Sequence, residues 1–344
     1  MNKKITIIAE MAWAHDGKLG KAIDIMKAAK DAGADAIGIH VTQLEDYMVT
    51  AYGSGEGRVS AGKEHLDLFN YLDEINLSHE DWKNFSNEAK KIGIGLCVMP
   101  NDKASLDFTC DELDPTYLVL TAASFVEKDF IIELAKKDCS TLFRIGGATL
   151  GEIEETINLF QKNTDAEVIL LHGFQNYPTA LDEINISQLK ALKNLFNLQV
   201  GLADHIDGGD PLALTIPVIA LAAGATFIEK HITFDRSEKG EDFEAAINPE
   251  DFKVLVNNIC AAEIALGESA WKPLSEAALR YRAISRKRIV ANKDMSKGTI
   301  LTPENIIFKR SDQGVNGEQF DSIINRKLKV DIKENEGISL EHLE

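Results

Sequence analysis

No apolar run in this 344-residue sequence approaches the ~18 residues needed to cross a membrane. Cysteine is scarce, at four residues, and Cys97, Cys110, Cys139 and Cys260 form no C-x-x-C pair. That pattern spells neither a zinc knuckle nor a dithiol redox motif, and it leaves reduced cysteines in or near a core. Positive charge is also in deficit. Against 55 Asp plus Glu there are 37 Lys plus Arg, a formal net charge of −18. An acidic surface repels phosphates, which argues against a nucleic-acid or anionic-membrane partner. The segment MNKKITIIAEMAWAHDG carries two lysines, but Glu10 breaks its apolar stretch at once. No signal peptide is therefore expected, and the cytoplasm is the expected location.

Apolar residues make up 44% and charged residues 27%, the composition of a globular protein. The length suits one barrel of roughly 250 residues with a small appendage. Eight β-rich runs recur: 5–11, 36–41, 93–100, 117–123, 141–147, 167–173, 199–205 and 227–233. Amphipathic helical stretches lie between them, such as KAIDIMKAAKDAGA and LGEIEETINLFQK, and glycines such as Gly33 and Gly224 mark helix exits. Near-continuous apolar strands alternating with helices indicate a covered parallel sheet, and eight units are the count of a closed (β/α)8 TIM barrel. An open doubly wound sheet would want a glycine fingerprint after the first strand, where MAWAHDGKLG stands instead. The fold expected is thus an α/β barrel over residues 1–267, a linker over 268–284, and a small β-rich domain over 285–344 that concentrates basic residues such as Arg286, Arg288 and Arg310. The long connection 42–63 ends in no G-K-[ST] and reads either as a substrate lid or as plain disorder.

Barrel chemistry gathers at the C-terminal ends of strands. There the sequence offers Glu10, with His15 and Asp16 beyond it, His172, Asp204-His205 and Glu229-Lys230-His231. Side chains alternate along a strand, so Glu229 and His231 share a face and Lys230 takes the other. Barrel closure sets the eighth strand beside the first and brings Glu10 near Glu229. Two imidazoles with carboxylates suit a divalent ion such as Mn²⁺, Zn²⁺ or Fe²⁺, able to polarise a carbonyl. The bland reading makes each histidine a hydrogen-bonded strand cap. HIDGGD after the seventh strand is more simply a turn, with Asp210 capping a helix, than a phosphate cradle.

Several stretches resemble the N-acetylneuraminate (sialic acid) synthase family: IIAEMAWAHDGKLGKAIDIMKAAKDAGADAI, LLHGFQNYPTALDEIN, GLADHIDGGDPLALTIPVIALAAGATFIEKHITFDRSEKGEDFEAAINPEDF and, at the C-terminal end, RKRIVANKDMSKGTILTPENIIFKR. The last is similar to the family's antifreeze-like (SAF) domain. The resemblance implies condensation of phosphoenolpyruvate with a sugar aldehyde, and a homodimer in which the terminal domain caps the partner's barrel. It implies a divalent metal, most often Mn²⁺, held by His205 and His231. Glu10 and Glu229 then match catalytic acidic residues. Tyr177, Gln175, Asp242 and Arg310 match residues on the acceptor-sugar side.

The donor half of the family pattern is altered. Where the family has K-F-Q on its second strand, this chain has Gly38 and His40, and Met99 stands for a threonine. Leu120 and Ala123 stand where the fourth strand carries K-I-x-S, Arg144 replaces a serine, Gln175 an asparagine, and Ala203 another serine. Two lysines that would neutralise a phosphate are gone together, a loss of roughly 1.5–3 kcal/mol for each charge-assisted contact. Arg144 reads either as a contact for an anionic ligand or as one arm of an internal ion pair. His40 reads either as a donor-site group or as a hydrogen-bonded barrel histidine. The expected activity is a metal-dependent aldol-type carbon–carbon bond formation between a three-carbon keto-acid donor and a sugar aldehyde, in nonulosonic-acid or related surface-carbohydrate biosynthesis. The alternative is a non-catalytic, metal-containing sugar-binding module.

Overall fold

The structure is a computed structural model that describes residues 5–52, 62–174, 176–268 and 270–344. Eight parallel strands close into a barrel in sequence order: β1 (Thr6–Ala12), β2 (Ala36–Val41), β3 (Gly95–Pro100), β4 (Tyr117–Thr121), β5 (Thr141–Arg144), β6 (Val168–His172), β7 (Gln199–Asp204) and β8 (Phe227–His231). Closure is made by β1 against β8, with Ile8 opposite Glu229 and Glu10 opposite His231. The (β/α)8 fold expected from the sequence is the one observed.

Both faces of each strand are buried, which explains the apolar runs. Ile7, Ala9 and Met11 of β1 pack outward into the helix layer, while Ile8 turns inward with Ala36, Cys97, Val119, Leu142, Ile169 and Phe227 to fill the lumen. The same inward parity, carried two residues further, delivers Glu10 after Ile8, Arg144 after Leu142, Glu229 after Phe227 and His205 after Ala203. The lumen is therefore apolar below and ionisable above.

The surrounding helices carry ordinary end signals. Leu19–Ala32 stops at Gly33 with φ 98°, in the left-handed region that glycine adopts without strain. His79–Ile92 begins in a capping box between Ser78 and Asp81, and Leu150–Gln161 in one between Thr149 and Glu152. Asp210 caps the turn Pro211–Leu214 through its bond from the Leu212 amide (2.7 Å), the role read for it in HIDGGD. In the connection 42–63, read as a substrate lid or as plain disorder, Leu44–Tyr47 forms a short helix, and residues 53–61 lie outside the described residues.

Two compact units divide the chain, Met1–Gly267 and Glu268–Glu344. The second opens on a helix, Glu276–Ser285, within the segment read as a linker. It continues into an antiparallel pair, β9 (Arg288–Ala291) and β10 (Ile306–Lys309), extended by isolated bridges such as Met295 to Ile332 and Leu328 to Leu343. Its core is its own, built from Ile289, Ala291, Leu301, Ile323, Leu328, Ile338 and neighbours.

Candidate active site

His205, Glu229 and His231 offer ligand atoms that all lie within 4.8 Å of one another, and all three are buried. The two imidazole centroids are 5.3 Å apart. His205 Nδ1 is 2.9 Å from the Phe174 carbonyl, which can only accept, so the proton sits on Nδ1 and the lone pair on Nε2. Nε2 of His205, Nε2 of His231 and Oε1 of Glu229 have no hydrogen-bond partner among the described residues. Buried acceptors without partners, gathered this closely, are costly unless a cation joins them. Burial holds His205 down at about 3 and drives His231 well below the usual imidazole range, so both rings stay neutral and ligand-competent. This donor set fits a divalent ion.

Behind this cluster β7 and β8 are tied on their outer face. Lys230 Nζ donates to Asp204 Oδ2 (2.8 Å) and to the Ile206 carbonyl (3.1 Å), with both side chains buried. The two residues flank His205 and His231 in sequence, so this pair fixes the strand ends that carry the imidazoles. The sequence put Lys230 on the opposite face from the ligands without giving it a task. Its signal was a lysine amid an apolar strand, one position out of phase with the site.

On the other side, Arg144 crosses the lumen to two carboxylates. Its Nη2 donates to Glu10 Oε2 (2.7 Å) and lies 2.8 Å from Glu229 Oε2, in contact but poorly aligned for a hydrogen bond. Of the two readings left open for Arg144, the internal ion pair is present. Arg144 Nε and Nη1 remain without partners among the described residues. Burial pushes Glu229 up to about 7, against the pull of Arg144 and with the push of Glu10. Burial raises Glu10 too, although Arg144 and the Ala12 amide (2.8 Å from Oε1) oppose it.

Gly38 explains itself at this point. A Cβ there would stand 2.2 Å from Glu10 Oε2, so the glycine is the space that the Glu10 carboxylate occupies. His40, two residues on, is 3.7 Å from Glu10 Oε1 and lies edge-on to Trp13. Its Nε2 makes no hydrogen bond among the described residues, and burial beside Arg144 lowers it to about 3. The reading of His40 as a hydrogen-bonded barrel histidine thus finds no bond at Nε2.

On the acceptor side, Tyr177 stands edge-on to both imidazoles, its ring centroid 4.9 Å from His205 and 5.5 Å from His231. Burial and the nearby Asp242 push its hydroxyl well above the ordinary tyrosine range. Asp242 is itself raised by burial and by Glu241, Glu10 and Glu244. Glu241 accepts from Tyr71 Oη (2.9 Å) and pairs with Lys63 (3.1 Å), which anchors this acidic loop to the segment before β3. Gln175 lies outside the described residues. Arg310 is exposed in the C-terminal unit, directly after β10. His172 does not join the cluster; its Nε2 bonds the Ile184 carbonyl at 2.7 Å.

Comparison with known proteins adds an independent line. The NeuB family profile matches residues 25–270, and the SAF domain profile matches residues 286–344. An uncharacterized protein of Methanocaldococcus jannaschii is 33% identical over 335 residues, covering 96% of this chain and 92% of that one. The pseudaminic acid synthase of Campylobacter jejuni serotype O:23/36 is 30% identical over 333 residues, covering 96% and 94%. Among solved structures, the N-acetylneuraminic acid (sialic acid) synthetase from Leptospira borgpetersenii, determined in complex with citrate, superposes with a TM-score of 0.70 at 26% identity, over 81% of this chain and 91% of that one.

Proposed function

The chain belongs to the NeuB family, and from that premise we propose that it is a metal-dependent enzyme joining a three-carbon keto-acid donor to a sugar aldehyde, in nonulosonic-acid or related surface-carbohydrate biosynthesis. The observation that carries this reading is the proximity of buried acceptors on His205, His231 and Glu229 that have no hydrogen-bond partner among the described residues, beside the Arg144 bridge. His205 and His231, with Glu229 beside them, would hold a divalent ion, Mn²⁺ first among the candidates; when bound, such an ion polarises a carbonyl as a Lewis acid.

The chain's own residues supply the rest. Phe174 holds His205 in the Nδ1–H tautomer, and Asp204 with Lys230 sets the strand ends. Arg144 bridges Glu10 and Glu229 through Nη2 and leaves two nitrogens, Nε and Nη1, without partners among the described residues. Glu10, whose carboxylate gains a raised affinity for protons from burial, and Glu229 beside it are the groups placed to position an acceptor hydroxyl or a water. Tyr177 and Asp242 bound the acceptor side, with Gln175 and, from a partner's capping domain in a domain-swapped homodimer, Arg310. The cytoplasm is its proposed place of work.

The test is direct. Metal analysis of purified protein is expected to show about one divalent ion per chain, lost in His205→Ala and in His231→Ala. Incubation with Mn²⁺, three-carbon donors and a panel of N-acetylated hexosamine aldehydes is expected to yield a new keto-sugar acid. Absence of a bound divalent ion defeats the proposal. Tight sugar binding with no turnover on any donor would instead mark a sugar-binding module.

A further inference from the structure

The loop between β8 and the helix Pro249–Leu266 carries Asp242, and three neighbouring segments pin it. Lys21 Nζ, from the helix after β1, reaches Glu238 Oε2 at 2.6 Å. Arg236 Nη2 reaches Asp207 Oδ1, in the turn after β7, at 2.9 Å. From the segment between β2 and β3, Lys63 Nζ lies 3.1 Å from Glu241 Oε2, and Tyr71 Oη donates to the same oxygen at 2.9 Å. These pins differ in weight. The side chains of Glu238 and Asp207 are 53% and 50% exposed, and exposed pairs contribute little. That of Glu241 is 7% exposed, so its buried carboxylate depends on the partners it has.

Tyr71 is itself fixed in place. It stands one turn before Ile75 on the helix Leu68–Ile75, and the two share a face that packs on Ala12 and Trp13 at the end of β1. Lys63 Nζ lies over the Tyr71 ring, 5.3 Å from its centre. Ring, ammonium and carboxylate form one group, two of whose members come from the connection that precedes β3.

Directly after Glu241, Asp242 has φ 60°, in the left-handed region. A residue other than glycine adopts that region at a cost and keeps it only where its surroundings hold it there. The residue before it is the one that the lysine and the tyrosine grip. Asp242 in turn lies close enough to Tyr177 for its charge to act on that hydroxyl, and close enough to Glu10 and Arg144 for theirs to act on it. We propose that Tyr71 and Lys63 are positioning residues of the acceptor site: through Glu241 they hold Asp242 in its left-handed conformation and so set the affinity for the sugar aldehyde. This deepens the synthase-family reading above and rests on it.

Steady-state kinetics of the Mn²⁺-loaded full chain test this, with phosphoenolpyruvate as donor and N-acetylmannosamine, or the N-acetylated hexosamine of the panel that is turned over fastest, as acceptor. Tyr71→Phe removes one hydroxyl and keeps the ring; Glu241→Gln keeps an acceptor oxygen and loses the charge. Each is expected to raise the acceptor KM at least fivefold, with kcat, donor KM and metal content within twofold of the parent. Lys63→Met is expected to act in the same direction. In an Asp242→Asn background, Tyr71→Phe is expected to change the acceptor KM less than twofold, since the carboxylate it positions is gone; a tyrosine that only stabilised the fold would act in both backgrounds. Lys21→Met, which cuts an exposed pin on the same loop, is expected to leave the acceptor KM within twofold. An acceptor KM unchanged in Tyr71→Phe and Glu241→Gln overturns the assignment while leaving the family chemistry intact. So does an equal rise in Lys21→Met, or an undiminished effect of Tyr71→Phe beside Asp242→Asn. A parent chain that holds its metal and turns over no hexosamine removes the functional reading on which the assignment rests.

Discussion

Arg144 and Gly38 make one device from two strands. The glycine withholds a side chain so that the Glu10 carboxylate can lean across β2, and the guanidinium from β5 meets it there. Gly38→Ala places a methyl group 2.2 Å from that carboxylate, so Glu10 must leave Arg144 or the strand must shift. The expected cost is about 1–3 kcal/mol, the usual range for overpacking, read by denaturant titration. Glu10→Ala in the same background is expected to recover most of that loss, since it deletes the atom that clashes; a G38A variant as stable as the parent would show that Glu10 does not sit where described. The sequence alone showed Gly38 only as a missing lysine. Its positive meaning, room for a neighbour's carboxylate, depended on the β1–β2 register that sets Glu10 opposite Gly38.

At the scale of elements, the β7–β8 strand ends depend on the buried Lys230–Asp204 pair. Removing one partner leaves an uncompensated buried charge, so Lys230→Met is expected to destabilise by about 3–5 kcal/mol and to weaken Mn²⁺ binding by displacing His205 and His231. The double variant Lys230→Met with Asp204→Leu, which removes both charges, is expected to lose less stability than K230M alone. The turn after β1 has a separate pH dependence. His15 is buried, 5.5 Å edge-on from Trp82, and its Nδ1 accepts from the Gly17 amide at 3.2 Å. Burial lowers it from 6.5 to about 4. The unfolded chain therefore binds the extra proton between these two values and the folded chain does not. Stability from this group is complete above pH 6.5 and falls as the pH drops toward 4. The total is about 3 kcal/mol by linkage. Thermal melts between pH 7 and pH 4 are expected to show that slope in the parent and a flatter one in His15→Gln.

At the scale of the whole molecule, the two compact units have separate apolar cores, one around the barrel and one around Ile289, Leu301 and Leu328. Every candidate metal ligand belongs to the first unit, so residues 1–267 expressed alone are expected to bind a divalent ion with the stoichiometry of the full chain. Arg310 belongs to the second. Arg310→Ala is expected to raise the acceptor KM while leaving metal content and melting temperature unchanged. A changed metal content would place this arginine's effect elsewhere.

Local pattern determined the barrel. Apolar runs of strand length separated by helices of period 3.6 have few ways to bury both strand faces, and eight repeats close the sheet. The same periodicity put Glu229 and His231 on one face and His205 at a neighbouring strand end, because alternation along a strand is a short-range property. What no sequence pattern carries is the pairing of groups on strands far apart around the ring. Arg144 meets Glu10 across 134 positions and Glu229 across the lumen, and Gly38 yields to Glu10 because of closure and register. Electrostatic compensation in a closed barrel is set by distances through space, so tertiary structure alone decided that this guanidinium spends one nitrogen on two carboxylates and leaves two without partners among the described residues.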